Sequence, residues 1–94
     1  MISTYLKPLA EVDEAREDHL SFVAELENRG FCVTAGRQDP PNGGILLLDV
    51  DTEAEAQALI ADDPYVQRGL AHYAVTGWHP TRGALAGYRR VRPD

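Results

Sequence analysis

Cysteine is nearly absent. Cys32 is the single one in 94 residues, so no intrachain disulfide can form. It falls in a predicted strand, where a small buried side chain explains it better than a nucleophile does. No CxxC or HxxxH spacing points to a metal, and neither a metal nor a cofactor is expected. Basic charge is scarce as well: 9 Lys and Arg stand against 15 Asp and Glu, leaving a formal net charge of −6. That balance argues against nucleic acid or an anionic membrane as the main partner. The longest apolar run, Ile45 to Leu48, is far too short to cross a bilayer. Met1-Ile2-Ser3-Thr4 has no basic segment followed by an apolar stretch, so no signal peptide is expected and a cytoplasmic address is the default.

What the chain does contain suits one small domain. Hydrophobic residues make up 44% and charged residues 26%, the balance of a soluble globular protein with a modest core. Ile2 to Leu9 reads as a first strand ending near Pro8. Glu11 to Asn28 reads as a helix, with acidic residues in its first turn and Gly30 as its C-terminal cap. Phe31 to Arg37 is a second strand. Asp39-Pro40-Pro41-Asn42-Gly43-Gly44 must be a loop, and Ile45 to Val50 a third strand. Thr52-Glu53-Ala54-Glu55 has capping-box spacing for a second helix reaching about Ala61. Asp62-Asp63-Pro64 interrupts it. A short helical turn over Tyr65 to Leu70 and a fourth strand over Ala71 to Trp78 follow. Residues 81–94 hold Arg82, Arg89, Arg90 and Arg92 among glycines and a proline, and read as an extended tail after a domain spanning residues 1–80.

Strand, helix, strand, strand, helix, strand is the order of the ferredoxin-like α+β fold, a βαββαβ protomer with both helices on one face of an antiparallel sheet. Two helices cover only one face. Yet Ile45 and Leu47 lie on one side of the third strand, and Leu46, Leu48 and Val50 on the other. Both sides call for burial, which predicts a homodimer formed by sheet packing.

Two polar groups fall in register with apolar helix faces. His19 is spaced with Ala15, Phe22, Val23 and Leu26; Asp63 with Ala56, Leu59 and Ile60. An unpaired ionisable group turned inward is costly, and one solution is that the two share a pocket. A neutral imidazole oriented by a carboxylate is the usual equipment for proton transfer. Each has a plain alternative. A core histidine can donate to a backbone carbonyl, and Asp before Pro is a natural N-cap. Arg37, at the end of a strand, offers a bidentate fork for a substrate carboxylate or phenolate, or pairs with a surface carboxylate. Gly36 admits close approach of a ligand or bends an edge, and Tyr65 lines the pocket or packs. His72 and His79 suggest no partner, and Trp78 is expected in the core or the dimer interface.

Asp18-His19-Leu20, Gly30-Phe31-Cys32-Val33-Thr34-Ala35-Gly36, Gly44-Ile45-Leu46-Leu47-Leu48, Asp62-Asp63-Pro64-Tyr65-Val66, Gly69-Leu70 and Trp78 form an ordered set. Over roughly residues 2 to 80 that set resembles the YCII-like (YciI-related) family. The resemblance implies a dimeric α+β barrel with a ferredoxin-like protomer, and His19 and Asp63 as its active-site pair. It also implies cofactor-free chemistry of the kind that dehydrochlorinates a hydroxylated aromatic. Arg37 stands where the family often has proline, and the tail lies outside the family pattern.

Three functions are therefore expected to compete. The first is a lyase or isomerase acting on a small hydroxylated aromatic or enolisable ligand. The second is a non-catalytic dimeric module that binds a ligand or a protein. The third, by analogy with other dimeric α+β barrels, is a cofactor-independent monooxygenase.

Overall fold

The computed structural model describes residues 1–88, which form β1 (Ile2–Tyr5), α1 (Leu9–Glu14), α2 (Arg16–Asn28), β2 (Cys32–Arg37), β3 (Gly44–Leu48), α3 (Glu53–Ile60), α4 (Pro64–Gln67) and β4 (Ala71–Ala74). The strands lie in the order β2-β3-β1-β4, and every neighbouring pair is antiparallel. This is the ferredoxin-like arrangement that the element order predicts.

Three local features depart from the periodicity, each for a visible reason. The first strand stops at Tyr5 rather than Leu9, because Pro8 already accepts the first helical hydrogen bonds from Glu11 and Val12. The long helix is two. Ala15, at φ −100° and ψ 1°, interrupts it, and its amide turns back to Val12. The break lets Val12 and Ala15 pack on Tyr65, Leu70 and Ala71, while Leu26 reaches a second cluster with Cys32, Leu46, Ile60 and Tyr73. The fourth strand ends at Ala74, and Trp78 lies beyond it, 56% exposed, beside a hollow also lined by Leu47, Leu85 and Tyr88.

The helix ends follow their residues. Gly30 has φ 82°, the left-handed geometry that closes α2. Phe31 N–H donates to Leu26 and Gly30 N–H to Glu27, a Schellman pair. At α3 the Thr52 hydroxyl accepts from Glu55 N–H at 3.1 Å, and the Glu55 carboxylate reaches back to Asp51 N–H.

Strand alternation separates the two sides of the sheet. Ser3, Leu46, Ala71 and Tyr73 are buried beneath the helices. Ile2, Thr4, Ile45 and His72 face the other way and are exposed. A bulge at Val33 sets Cys32 opposite Leu48 but Thr34 opposite Leu47. Residues 83–88 fold into turns, with Ala86 bonded to Gly83 and Tyr88 to Leu85, rather than running extended. Arg89, Arg90 and Arg92 lie outside the described residues. Among those described, no helix is long and apolar enough to cross a membrane.

Candidate active site

Asp63 sits at the N-terminus of α4, where Pro64 begins the helix without needing a hydrogen-bond acceptor. Its carboxylate is fully buried and accepts three hydrogen bonds. Oδ1 takes the Tyr65 amide at 2.9 Å and His19 Nδ1 at 2.9 Å, and Oδ2 takes the Tyr73 hydroxyl at 2.8 Å. A carboxylate holding that many donors can only accept, so Nδ1 of the imidazole carries its proton and Nε2 keeps a lone pair in the neutral ring.

Asp63, Pro64 and Tyr65 act as one device. The carboxylate caps the turn, the proline starts it, and the turn delivers the Tyr65 ring onto the imidazole. The two rings are stacked at 4.0 Å with 5° between their planes. Tyr65 is itself buried and meets Tyr5 edge to face at 5.9 Å. The imidazole plane is therefore fixed from one face and from one nitrogen.

His19 lines an open cleft of about 370 Å³ between α2 and the inner face of β2 and β3. Arg16, Leu20, Val23 and Glu27 line it from the same helix, spaced for one helical stripe. Gly36 and Arg37 line its β2 side. A side chain at Gly36 would enter open space, so packing within the protomer does not require glycine there. Arg37 stands with Nε 3.0 Å from the Tyr5 hydroxyl and Nη2 2.6 Å from Asp13. Burial would lower this guanidinium, but its hydrogen bonds to Asp13 and Tyr5 outweigh that and hold it above its ordinary value. Of the two readings of Arg37, the structure shows the pairing with a protein carboxylate, and it places the residue at the border of the cleft. Among the described residues no cluster of three His, Cys, Asp or Glu side chains could hold a metal ion.

Residues 1–79 match the family model of the YCII-related domain. The chain belongs to the YCII family. No curated protein and no solved structure gave a significant match. Within this YCII domain the His–Asp contact joins α2 to the start of α4, and the exposed Arg68–Asp18 ion pair at 2.7 Å joins α2 to the end of α4 at the surface.

Four groups at the site of this YCII domain escape a residue-by-residue scan: Ser3, Tyr5, Arg16 and Tyr73. Arg16 had a signal, since it lies three residues before His19 and so shares its face. Tyr73 had none, because its value lies in meeting Asp63 from a different element. Burial pushes the Tyr73 phenol well above its ordinary value, and the neighbouring Asp63 charge and hydrogen bond push it further. Ser3, its partner across the ladder, pulls weakly the other way. The phenol stays protonated and donates.

A pH dependence follows. Because the folded chain holds the Tyr73 proton above the unfolded value of 10.0, the associated stability is fully present below pH 10 and is lost as pH rises beyond it. Tyr65 and Cys32, both raised chiefly by burial, act in the same direction. Urea unfolding between pH 9 and 11.5 should show stability falling by up to about 1.4 kcal/mol per pH unit for each proton so held. Tyr73→Phe should flatten the fall above pH 10. Equal slopes in the two proteins would mean that the phenol is not the group holding the proton.

Proposed function

We propose that this YCII domain is a cofactor-independent acid–base catalyst of lyase or isomerase type, acting on a small hydroxylated aromatic or enolisable molecule. The observation that carries this is the His19 Nδ1–Asp63 Oδ1 contact at 2.9 Å, with the carboxylate fully buried and the imidazole bordering a cleft. His19 Nε2 takes the substrate proton. The imidazolium that forms is stabilised by Asp63, and the proton then returns to the product or to a leaving group. Stacking on Tyr65 holds the ring, so little reorientation accompanies transfer. The cleft exceeds twice the roughly 150 Å³ in which a benzene ring can be accommodated, which suits a monocyclic substrate.

Proton transfer can be read without knowing the natural reaction. Candidate hydroxyaromatics and enolisable acids are incubated with the protein in D2O, and exchange at carbon is followed by NMR. Catalysed exchange that His19→Gln abolishes is the expected result. Exchange that is absent across the panel, or unchanged in the variant, would remove the proposal.

One observation favours a second reading. Asp63 already has a complete structural role as the α4 cap and the acceptor of Tyr73. A non-catalytic binding module would keep the same network, with His19 as its third donor. In that case His19→Ala would lower the melting temperature of a protein that exchanges no protons.

The assembly we propose is a homodimer through the outer face of the sheet. Ile2 and Ile45 are paired there, 48% and 47% exposed, and uncovered by either helix layer. Burying such a patch against its copy is favourable, at about 25 cal/mol per Å² of apolar surface. Light scattering should give twice the 10.3 kDa chain mass, and Ile45→Glu should halve it. A monomeric wild-type mass at micromolar concentration would exclude this assembly.

A further inference from the structure

Arg16 is the cleft's cation whose chemistry neither the proton-transfer pair nor an ion pair uses. It is half-buried, it lines the cleft, and among the described residues its guanidinium is in no hydrogen bond or ion pair, the three ion pairs being His19–Asp63, Arg37–Asp13 and Arg68–Asp18. That contrasts with the other two arginines near the site: Arg37 is engaged by Asp13 and Tyr5, and Arg68 by Asp18. Arg16 also occupies the first turn of α2. A cation there opposes the positive end of the helix dipole, so its placement costs stability rather than adding to it. A partly desolvated guanidinium in an unfavourable position, facing a cavity and lacking an anion, is a binding site whose ligand supplies the missing charge.

The surroundings indicate where that charge sits. Arg16, Arg37 and Tyr65 line the same cleft. Asp13 neutralises Arg37 at the rim. Asp63 lies behind the imidazole, fully buried, with both oxygens occupied. The cleft's other acidic side chain, Glu27, is eleven residues further along α2, about 16 Å along the helix axis. A bound anion is therefore drawn to the Arg16 end and repelled from the Glu27 end.

We propose that Arg16 is the anchor for a carboxylate on the substrate, which makes the ligand a small aromatic or enolisable carboxylic acid; this rests on the proton-transfer reading of the same cleft. Arg16 and His19 are three residues apart on one helix face, which puts their Cβ atoms about 5–6 Å apart. The carboxylate and the labile proton are then separated by about the width of one aromatic ring. A forked guanidinium takes a carboxylate through two parallel hydrogen bonds, which fixes the orientation of the ligand as well as holding its charge. Arg16 is a positioning and specificity residue; it does not touch the proton in flight.

The test is a comparison of charge at constant shape. Benzoate, salicylate and 3,4-dihydroxybenzoate are titrated, each beside its carboxamide, into the 15N-labelled full-length chain. The amide resonances of Gly36, Arg37 and Tyr65 report occupancy. Acids should bind on the order of tenfold to a hundredfold more tightly than their amides, the range expected for a charge-assisted pair. Arg16→Gln should bring each acid down to the affinity of its amide. Arg16→Lys, which keeps charge but not the fork, should fall between, and Arg16→Met guards against a folding defect in the first variant. His19→Gln should retain the preference for acids, because it removes the base and leaves the anchor. Equal affinity of acid and amide in the wild-type chain, a preference that survives Arg16→Gln, or no cleft response to any acid at millimolar concentration would each overturn the proposal. Preserved acid preference in a protein that catalyses no exchange would instead remove the chemistry and keep the anchor.

Discussion

Asp63→Ala lowers the stability of the folded chain by about 3–5 kcal/mol, the cost typical of breaking a buried, hydrogen-bonded charge network. Three losses combine. The α4 cap disappears, leaving the Tyr65 amide without its acceptor. The Tyr73 phenol is buried with no group to receive its proton, and the His19 imidazole loses its orienting partner. For a domain of this size each kcal/mol moves the melting temperature by about 4–8 °C, so the transition falls by about 12 °C or more. Asp63→Asn retains Oδ1 for the cap and costs much less, about 1–2 kcal/mol. Thermal and urea melts followed by circular dichroism check both variants. If alanine and asparagine cost the same, the oxygen that asparagine keeps for the cap contributes nothing, and the carboxylate's charge and second oxygen carry the whole effect.

His19→Gln lowers catalysed proton exchange by about 10²–10⁴-fold, the usual worth of a positioned general base. Glutamine keeps a donor near Asp63 Oδ1 and much of the volume beneath Tyr65, so the fold is retained while the basic nitrogen is lost. Its melting temperature should stay within a few degrees of wild type, whereas the loss in rate spans orders of magnitude. Stability and chemistry therefore separate at His19 but not at Asp63, which caps a helix and orients the base with the same atoms. A His19→Gln protein that exchanges at nearly the wild-type rate would reduce the imidazole to a structural hydrogen-bond donor.

His19 was legible because it interrupts an apolar stripe of its helix, and periodicity tells which way such a residue turns. Asp63 does meet it, but not through the register expected with Ala56, Leu59 and Ile60: α3 ends at Ile60, and Asp63 is turned inward as the extended N-cap before Pro64. The sheet order was legible for a related reason: element sequence leaves few ways to wind βαββαβ. Tyr73 and Ser3 were not. Ala71-His72-Tyr73-Ala74 alternates, but alternation alone does not say whether histidine or tyrosine faces inward; pairing with β1 decides it. The interruption at Ala15 was hidden too, since alanine is the best of helix formers and only the competing packing of Val12 and Leu26 on separate clusters breaks the helix there. Of the two places expected for Trp78, the protomer's core is excluded: the residue follows the end of β4 and stays exposed within the protomer.

Gly43 is buried where the β2–β3 connection passes β1, and a Cβ there would collide with the Ser3 carbonyl. Next to it, Gly44 N–H donates to the Ser3 hydroxyl at 2.7 Å, and Ser3 stands across the ladder from Tyr73. The loop is thus tied to the strand that faces Tyr73. A side chain at position 43 would push against backbone that cannot move aside, so random mutagenesis scored for folded protein should return defective clones there, far along the chain from the imidazole.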